Sequence, residues 1–203
     1  MKAKQIPGVP WQHSGAYHDT ESIKKIVASD LLAQKFEILK ERFFSINHWK
    51  DYCGKGSADF RLFDSGGSYI ERIPQKGDFM RIDIPGPGDI EAKGYDWVEI
   101  VLVDDHCSDD ELERYLICCR PSKIPGSNTD HIAHFYSRES SSTFVISRGH
   151  DFIKTAVYGR NEIPNYKKTG FWGRIRNFLI STGGYTRITK MQWKSYTDGL
   201  LDF

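Results

Sequence analysis

Apolar residues recur at intervals of four and three along Leu32, Phe36, Leu39, Phe43 and Ile46, with Lys35, Glu37, Lys40 and Glu41 mostly on the other side. A period near 3.6 gathers the first set into one stripe, so this stretch predicts an amphipathic helix that packs on something apolar. Ser29 and Asp30 stand just before it as capping residues. Upstream, Asp19 or Thr20 caps a shorter predicted helix carrying Ile23, Ile26 and Val27. Residues 1–18 contain Pro7, Gly8, Pro10 and Gly15 and show no periodicity, which predicts an extended arm that docks through Trp11 and Tyr17 or frays.

The pattern changes after Gly54, Gly56 and Ser57. From there the chain is punctuated at strand-like intervals, and strands are predicted at Ala58 to Phe63, Ser68 to Ile73, Asp78 to Ile84, Trp97 to Val103, Glu113 to Arg120, His134 to Ser137, Thr143 to Arg148 and Phe152 to Tyr158. Met80, Ile82 and Ile84 alternate with Phe79, Arg81 and Asp83, as in a half-buried strand. Arg148-Gly149-His150 reads as a hairpin turn between two β-branched, aromatic runs. No helix-length pattern separates consecutive strands, so the sheet is expected to be mostly antiparallel. Gly159 to Asn165 reads as a loop, followed by predicted helices at Phe171 to Ile180 and Met191 to Leu201.

These elements predict an α+β fold: a curled antiparallel sheet or barrel with N-terminal and C-terminal helices. The expected division is an arm over 1–18 and one domain over 19–203, helical over 19–53, β-rich over 58–158 and helical again over 171–201. In element order the chain resembles the helix-grip folds of START-like ligand-binding proteins. Gly77 to Gly88, Tyr95-Asp96-Trp97-Val98, Gly159 to Asn165 and Gln192-Trp193-Lys194-Ser195 also resemble parts of an uncharacterised bacterial protein family. That resemblance implies no activity, substrate or catalytic residue.

Composition sharpens the picture only in places. A 203-residue chain with 39% hydrophobic and 13% aromatic residues has enough apolar surface for one core. The longest apolar runs fall far short of the roughly 20 residues that span a bilayer. The N-terminus carries charge without a following apolar stretch, so neither a membrane span nor a secretion signal is read and a cytoplasmic protein is expected. Cys53, Cys107, Cys118 and Cys119 form no C-x-x-C pair. They read as buried free thiols, with Cys118 and Cys119 on opposite faces of a strand.

Charge is near balance overall, at +1, but unevenly spread. Acids crowd the region from Asp89 to Glu113, where Asp104 to Glu111 offers oxygen ligands without the order of a calcium loop. Solvated loop and metal-assisted hydrolase are the two readings of it; no metal or cofactor is expected. Asp83-Ile84-Pro85-Gly86-Pro87-Gly88 reads as a tight turn. No acid occurs between Glu162 and Asp198, whereas Lys167, Lys168, Arg174, Arg176, Arg187, Lys190 and Lys194 do, interleaved with seven aromatics. Lys167, Lys168, Arg174, Arg176, Lys190 and Lys194 are therefore candidate contacts to an acidic partner, another copy of the chain or nucleic acid. The alternative is two amphipathic helices with aromatic inner faces.

For chemistry, His48 and Asp51 stand three apart at a helix end, as a base and its orienter or as a packed His and a cap. His131 and His134 would face opposite ways on a strand and do not suit joint metal ligation. Arg160, Asn161, Glu162 and Asn165 form a polar cluster that, with Arg120 and His134, can line the mouth of a curled sheet and recognise a small polar ligand. No nucleophile motif is present and no catalytic residue is assigned. Two functions follow. The first is a non-enzymatic binding module presenting the polar loop and basic tail to an acidic partner or anionic ligand; the alternative is a helix-grip protein holding a small apolar ligand.

Overall fold

The computed structural model describes residues 2–54, 57–83, 94–107, 111–165 and 185–203, with side chains in the last helix described from Trp193 onward. The Pro-Gly turn at 85–88 and the predicted helix at 171–180 lie outside the described residues. Seven antiparallel strands form an open sheet in the order β1-β7-β6-β5-β4-β3-β2. They are β1 (Ala16–Lys25), β2 (Asp59–Phe63), β3 (Phe79–Asp83), β4 (Asp96–Asp104), β5 (Glu113–Pro121), β6 (Ser141–Arg148) and β7 (Phe152–Glu162). Helix α1 (Ser29–Phe44), a 3-10 turn (Ile46–His48) and α2 (Trp49–Cys53) follow β1, and α3 (Tyr185–Leu200) closes the chain. Consecutive strands from β2 to β7 are neighbours, whereas β1 pairs with β7 at the far edge, so helices before and after the meander grip one sheet face. The sheet is not closed into a barrel.

That gripped face holds the main core. Leu32, Phe36, Leu39 and Phe43, the stripe expected of α1, are all buried, as is Ile46 in the turn beyond it. They meet alternate residues of every strand from β2 to β7, including Phe60, Met80, Ile82, Val98, Ile117, Cys119, Phe144 and Val157. Trp49 sits at the centre, fully buried, with ring contacts to Phe60, Phe144 and Tyr196 of α3 and its indole Nε1 donating to the Phe43 carbonyl at 3.0 Å. Gly199 lets α3 lie against α2: a Cβ there would stand 2.3 Å from the Tyr52 carbonyl oxygen.

The outer face is also covered. Leu116, Cys118, Val145, Ala156 and Tyr158 pack beneath Ile6 and Val9 of the N-terminal arm. Docking through Trp11 is corrected, since that side chain is 65% exposed. Buried arginines hold the arm by its backbone instead: Arg160 Nη2 donates to the Lys4 carbonyl at 2.9 Å and Arg114 Nη2 to the Pro7 carbonyl at 2.5 Å. Cys118 and Cys119 do lie in separate cores on opposite faces. Cys107 is exposed, contrary to the expectation of burial, while burial pushes the Cys53 thiol up to about 12.

Residues 19–25 correct the reading of a short N-terminal helix, because they belong to β1. Its inward positions are polar: His18 stacks on Trp193, Ser22 donates to the Thr197 hydroxyl and Lys24 donates to the Phe203 carbonyl, so no apolar alternation marks the strand. Predicted strands at 68–73 and 134–137 reduce to single bridges, Phe63 to Tyr69 and Tyr136 to Pro164. No helix among the described residues is long and apolar enough to cross a membrane.

Candidate functional site beneath the last helix

Gly159 to Asn165, read as a loop, begins as strand. β7 continues to Glu162 because β1 pairs with it along its whole length, yet the register slips: Ala16 faces Glu162 whereas His18 faces Gly159. One residue on β1, Tyr17, opposes two on β7, which is a β-bulge at Arg160 and Asn161. Asn161 takes φ +52°, a left-handed conformation that Asn tolerates better than most residues. It is held by the arm, its Oδ1 accepting from the backbone N–H of His13 at 2.8 Å and its Nδ2 donating to the Trp11 carbonyl at 2.9 Å.

The bulge reverses the alternation of side chains. Residues three apart on a regular strand face opposite ways, but here Gly159 and Glu162 both face the helices. The Glu162 carboxyl lies over Gly159, where a Cβ would stand 2.3 Å from Oε1, and its Oε1 is 3.3 Å from His18 Nε2. Both side chains are buried. A hydrogen bond with the Tyr136 side chain reaches Glu162 from the β5–β6 connection. The Trp193 indole of α3 stacks on the His18 ring at 6.0 Å and meets Phe144 edge-on at 5.6 Å, and Phe144 in turn meets Tyr196 at 5.4 Å. An aromatic track thus runs from the polar pair to the core beside Trp49.

Burial raises the Glu162 carboxyl to about 7, opposed by the Tyr136 hydrogen bond and by the charge of Arg160. Such a group exchanges its proton near neutral pH beside an imidazole, which suits it to pass a proton or to meet a ligand's charge. The Tyr196 hydroxyl and the Trp193 Nε1 are buried donors with no hydrogen-bond partner among the described residues.

The six residues expected to line one mouth are divided by the bulge and the sheet. Arg160 turns to the outer face, where it pairs with Asp19 at 2.7 Å and is 1% exposed. Arg120 alternates with inward-facing Cys119 and is exposed on the outer side, opposite Glu99. His134 is buried, its Nδ1 accepting from the Tyr136 N–H at 2.9 Å, and burial lowers it to about 3. Asn165 ties down the same segment through the Ile132 and His134 carbonyls. Of the six, Glu162 is the one that meets His18 on the gripped face of the sheet.

Of the basic candidates, Lys167, Lys168, Arg174 and Arg176 lie outside the described residues, and Lys190 belongs to the backbone of α3. Lys194 is half exposed, bonded to Asp198 and, at 2.9 Å, to the Ser22 hydroxyl. His48 and Asp51 meet at 3.1 Å on an exposed surface. Asp104, Asp105 and His106 place ligand atoms within 4.8 Å of one another, in a largely exposed group where His106 bonds to Asp104. Sequence reading missed His18 and Tyr136 as site residues, and the available signal was Gly159-x-Asn161, a small residue followed by one tolerant of positive φ.

No protein-family model matches the sequence, and no curated protein is similar to it. Among solved structures the chain is similar to hypothetical protein jhp0584 from Helicobacter pylori, with 11% identity, a TM-score of 0.51, and coverage of 98% of this chain and 96% of that one. At that identity the likeness is one of fold. Protein XoxI from Bacillus cereus matches at TM-score 0.38 and 15% identity over 93% of this chain and 97% of that one. A truncated norcoclaurine synthase from Thalictrum flavum matches at 0.37 and 14% over 96% and 99%.

Proposed function

We propose that the protein binds a small, largely apolar molecule between the sheet and its last helix, at the β1–β7 end. The observation that carries this reading is the bulge that turns Glu162 onto the gripped face beside His18, whose ring stacks on Trp193 of α3. Elsewhere the gripped face is taken up by its own side chains: Phe60, Ile82, Val98 and Ile117 all belong to the core closed by α1 and α2. A ligand therefore belongs at the polar end, its body along Trp193, Phe144 and Tyr196. Small-molecule sites combine such an apolar wall with a few convergent polar groups.

Titration with N-phenyl-1-naphthylamine, a neutral fluorophore that brightens in apolar surroundings, tests the reading. Saturable binding that weakens in Trp193→Ala supports it. Absence of saturable binding, or binding untouched by Trp193→Ala in a folded variant, overturns it.

A second reading rests on the chain segment without acids between Glu162 and Asp198. Its cations would take an acidic partner, with Arg160 excluded from that surface by its pairing with Asp19. Retention on a polyglutamate matrix that collapses at high salt, and that is lost when Lys167, Lys168, Arg174 and Arg176 are neutralised, supports it. Retention indifferent to salt or to those substitutions overturns it.

A further inference from the structure

The groups around Glu162 also select the charge of the ligand, an inference that rests on the binding reading above. A carboxylate out of water needs a counter-charge or a proton. Around Glu162 stand His18 from β1 and Tyr136 from the β5–β6 connection, and the His18 ring is in turn stacked on Trp193 of α3. Among the described residues no lysine or arginine forms an ion pair with it. Arg160, two positions away, acts on it only from the other face of the sheet, where its guanidinium is committed to Asp19 and to the His18, Gly159 and Lys4 carbonyls. Lys194, next to Trp193 on α3, is committed to Asp198 and Ser22. Among the described residues the carboxyl thus meets no fixed cation on the side where the aromatic track begins, and aromatic faces attract cations.

We propose that the ligand is a small primary amine bound as its ammonium ion, with the charge on the Glu162 carboxylate and the apolar body along Trp193, Phe144 and Tyr196. Ammonium and carboxylate form charge-assisted hydrogen bonds about twice as strong as neutral ones. The ion displaces the proton that Glu162 otherwise keeps, so binding weakens in acid. His18, 3.3 Å from the Glu162 carboxyl, holds that carboxyl in place.

The experiment compares tryptamine with its neutral isostere tryptophol on the full chain, by calorimetry and by displacement of N-phenyl-1-naphthylamine. Tryptamine is expected to bind at least about tenfold more tightly than tryptophol at about pH 8, with the preference shrinking at about pH 5. Glu162→Gln is expected to abolish the preference, with a circular dichroism spectrum like that of the wild type reporting that the variant is folded. Equal binding of the two molecules, or a preference that survives Glu162→Gln, overturns the inference. If the fluorophore binds and the amine has no advantage, only the charge assignment falls. If neither fluorophore nor amine binds, the binding reading falls with it.

Discussion

His18 and Glu162 meet at 3.3 Å on the gripped face of the sheet because β7 carries one extra residue opposite β1. Without the bulge, Glu162 would point outward on the same face as Arg160 and the pair would be on opposite sides of the sheet. Gly159 is the clearance that lets both side chains settle, since a Cβ there would stand 2.3 Å from Glu162 Oε1 and 2.4 Å from His18 Cδ2.

Gly159→Ala is accordingly expected to separate the pair and cost about 1–3 kcal/mol, the usual range for overpacking a filled site. Urea denaturation gives the stability change, and weaker binding of N-phenyl-1-naphthylamine would register the displaced side chains. An alanine variant of unaltered stability and binding would show that the clearance is unimportant.

Glu162 makes stability fall as pH rises. Its carboxyl is raised from 4.5 to about 7 in the folded chain, so the folded state holds the proton more tightly than the unfolded one. The contribution is complete below 4.5 and is lost as pH rises through about 7, with a ceiling of roughly 3 kcal/mol at 1.36 kcal/mol per pKa unit. Glu162→Gln should flatten this part of the stability profile and leave the protein more stable than wild type above about pH 7. Denaturation midpoints measured across the range check both.

His134 acts with the opposite sign. Burial lowers it from 6.5 to about 3, so its contribution is present above 6.5 and is lost as pH falls through about 3, with a ceiling of roughly 5 kcal/mol. His134→Asn keeps an acceptor for the Tyr136 N–H without a proton to gain. It should remove the acid limb of the profile while leaving the Glu162 limb in place, and loss of both limbs together would contradict the assignment.

Arg160→Met tests the clamp on the arm. The substitution leaves Asp19 without its ion-pair partner and removes the donor to the Lys4 carbonyl. Breaking a buried pair from one side costs about 3–5 kcal/mol, lower in that range here because Asp19 keeps some contact with water. Hydrogen exchange should quicken over residues 2–15 and over the Leu116, Val145 and Tyr158 patch beneath them. Protection unchanged at the patch would mean that Ile6 and Val9 hold the arm unaided.

Much of the scaffold was legible because its signals are local. The 3.6-residue stripe of α1 and the alternation of Met80 and Ile82 each report the face a side chain must bury, whatever lies opposite. β1 carries no strand signal for the same reason in reverse. Its inward side chains His18, Ser22 and Lys24 are polar, and what makes it a strand is pairing with β7, more than 120 residues away in sequence. The polar run at 159–162 read as a loop because side-chain polarity usually means solvent, whereas here the arm, Asp19 and His18 satisfy it inside the fold.

The sequence by itself determined the α+β class, the helix stripe, most strand positions and the opposite faces of Cys118 and Cys119, since each follows from the period of side chains along a local element. The tertiary structure alone decided that Arg160 and Glu162, two residues apart on a bulged strand, serve different faces, one clamping the arm and the other entering the grip. Which face a polar residue takes depended on a one-residue slip in register against a distant strand, and an interaction of that range leaves no periodic trace in the chain.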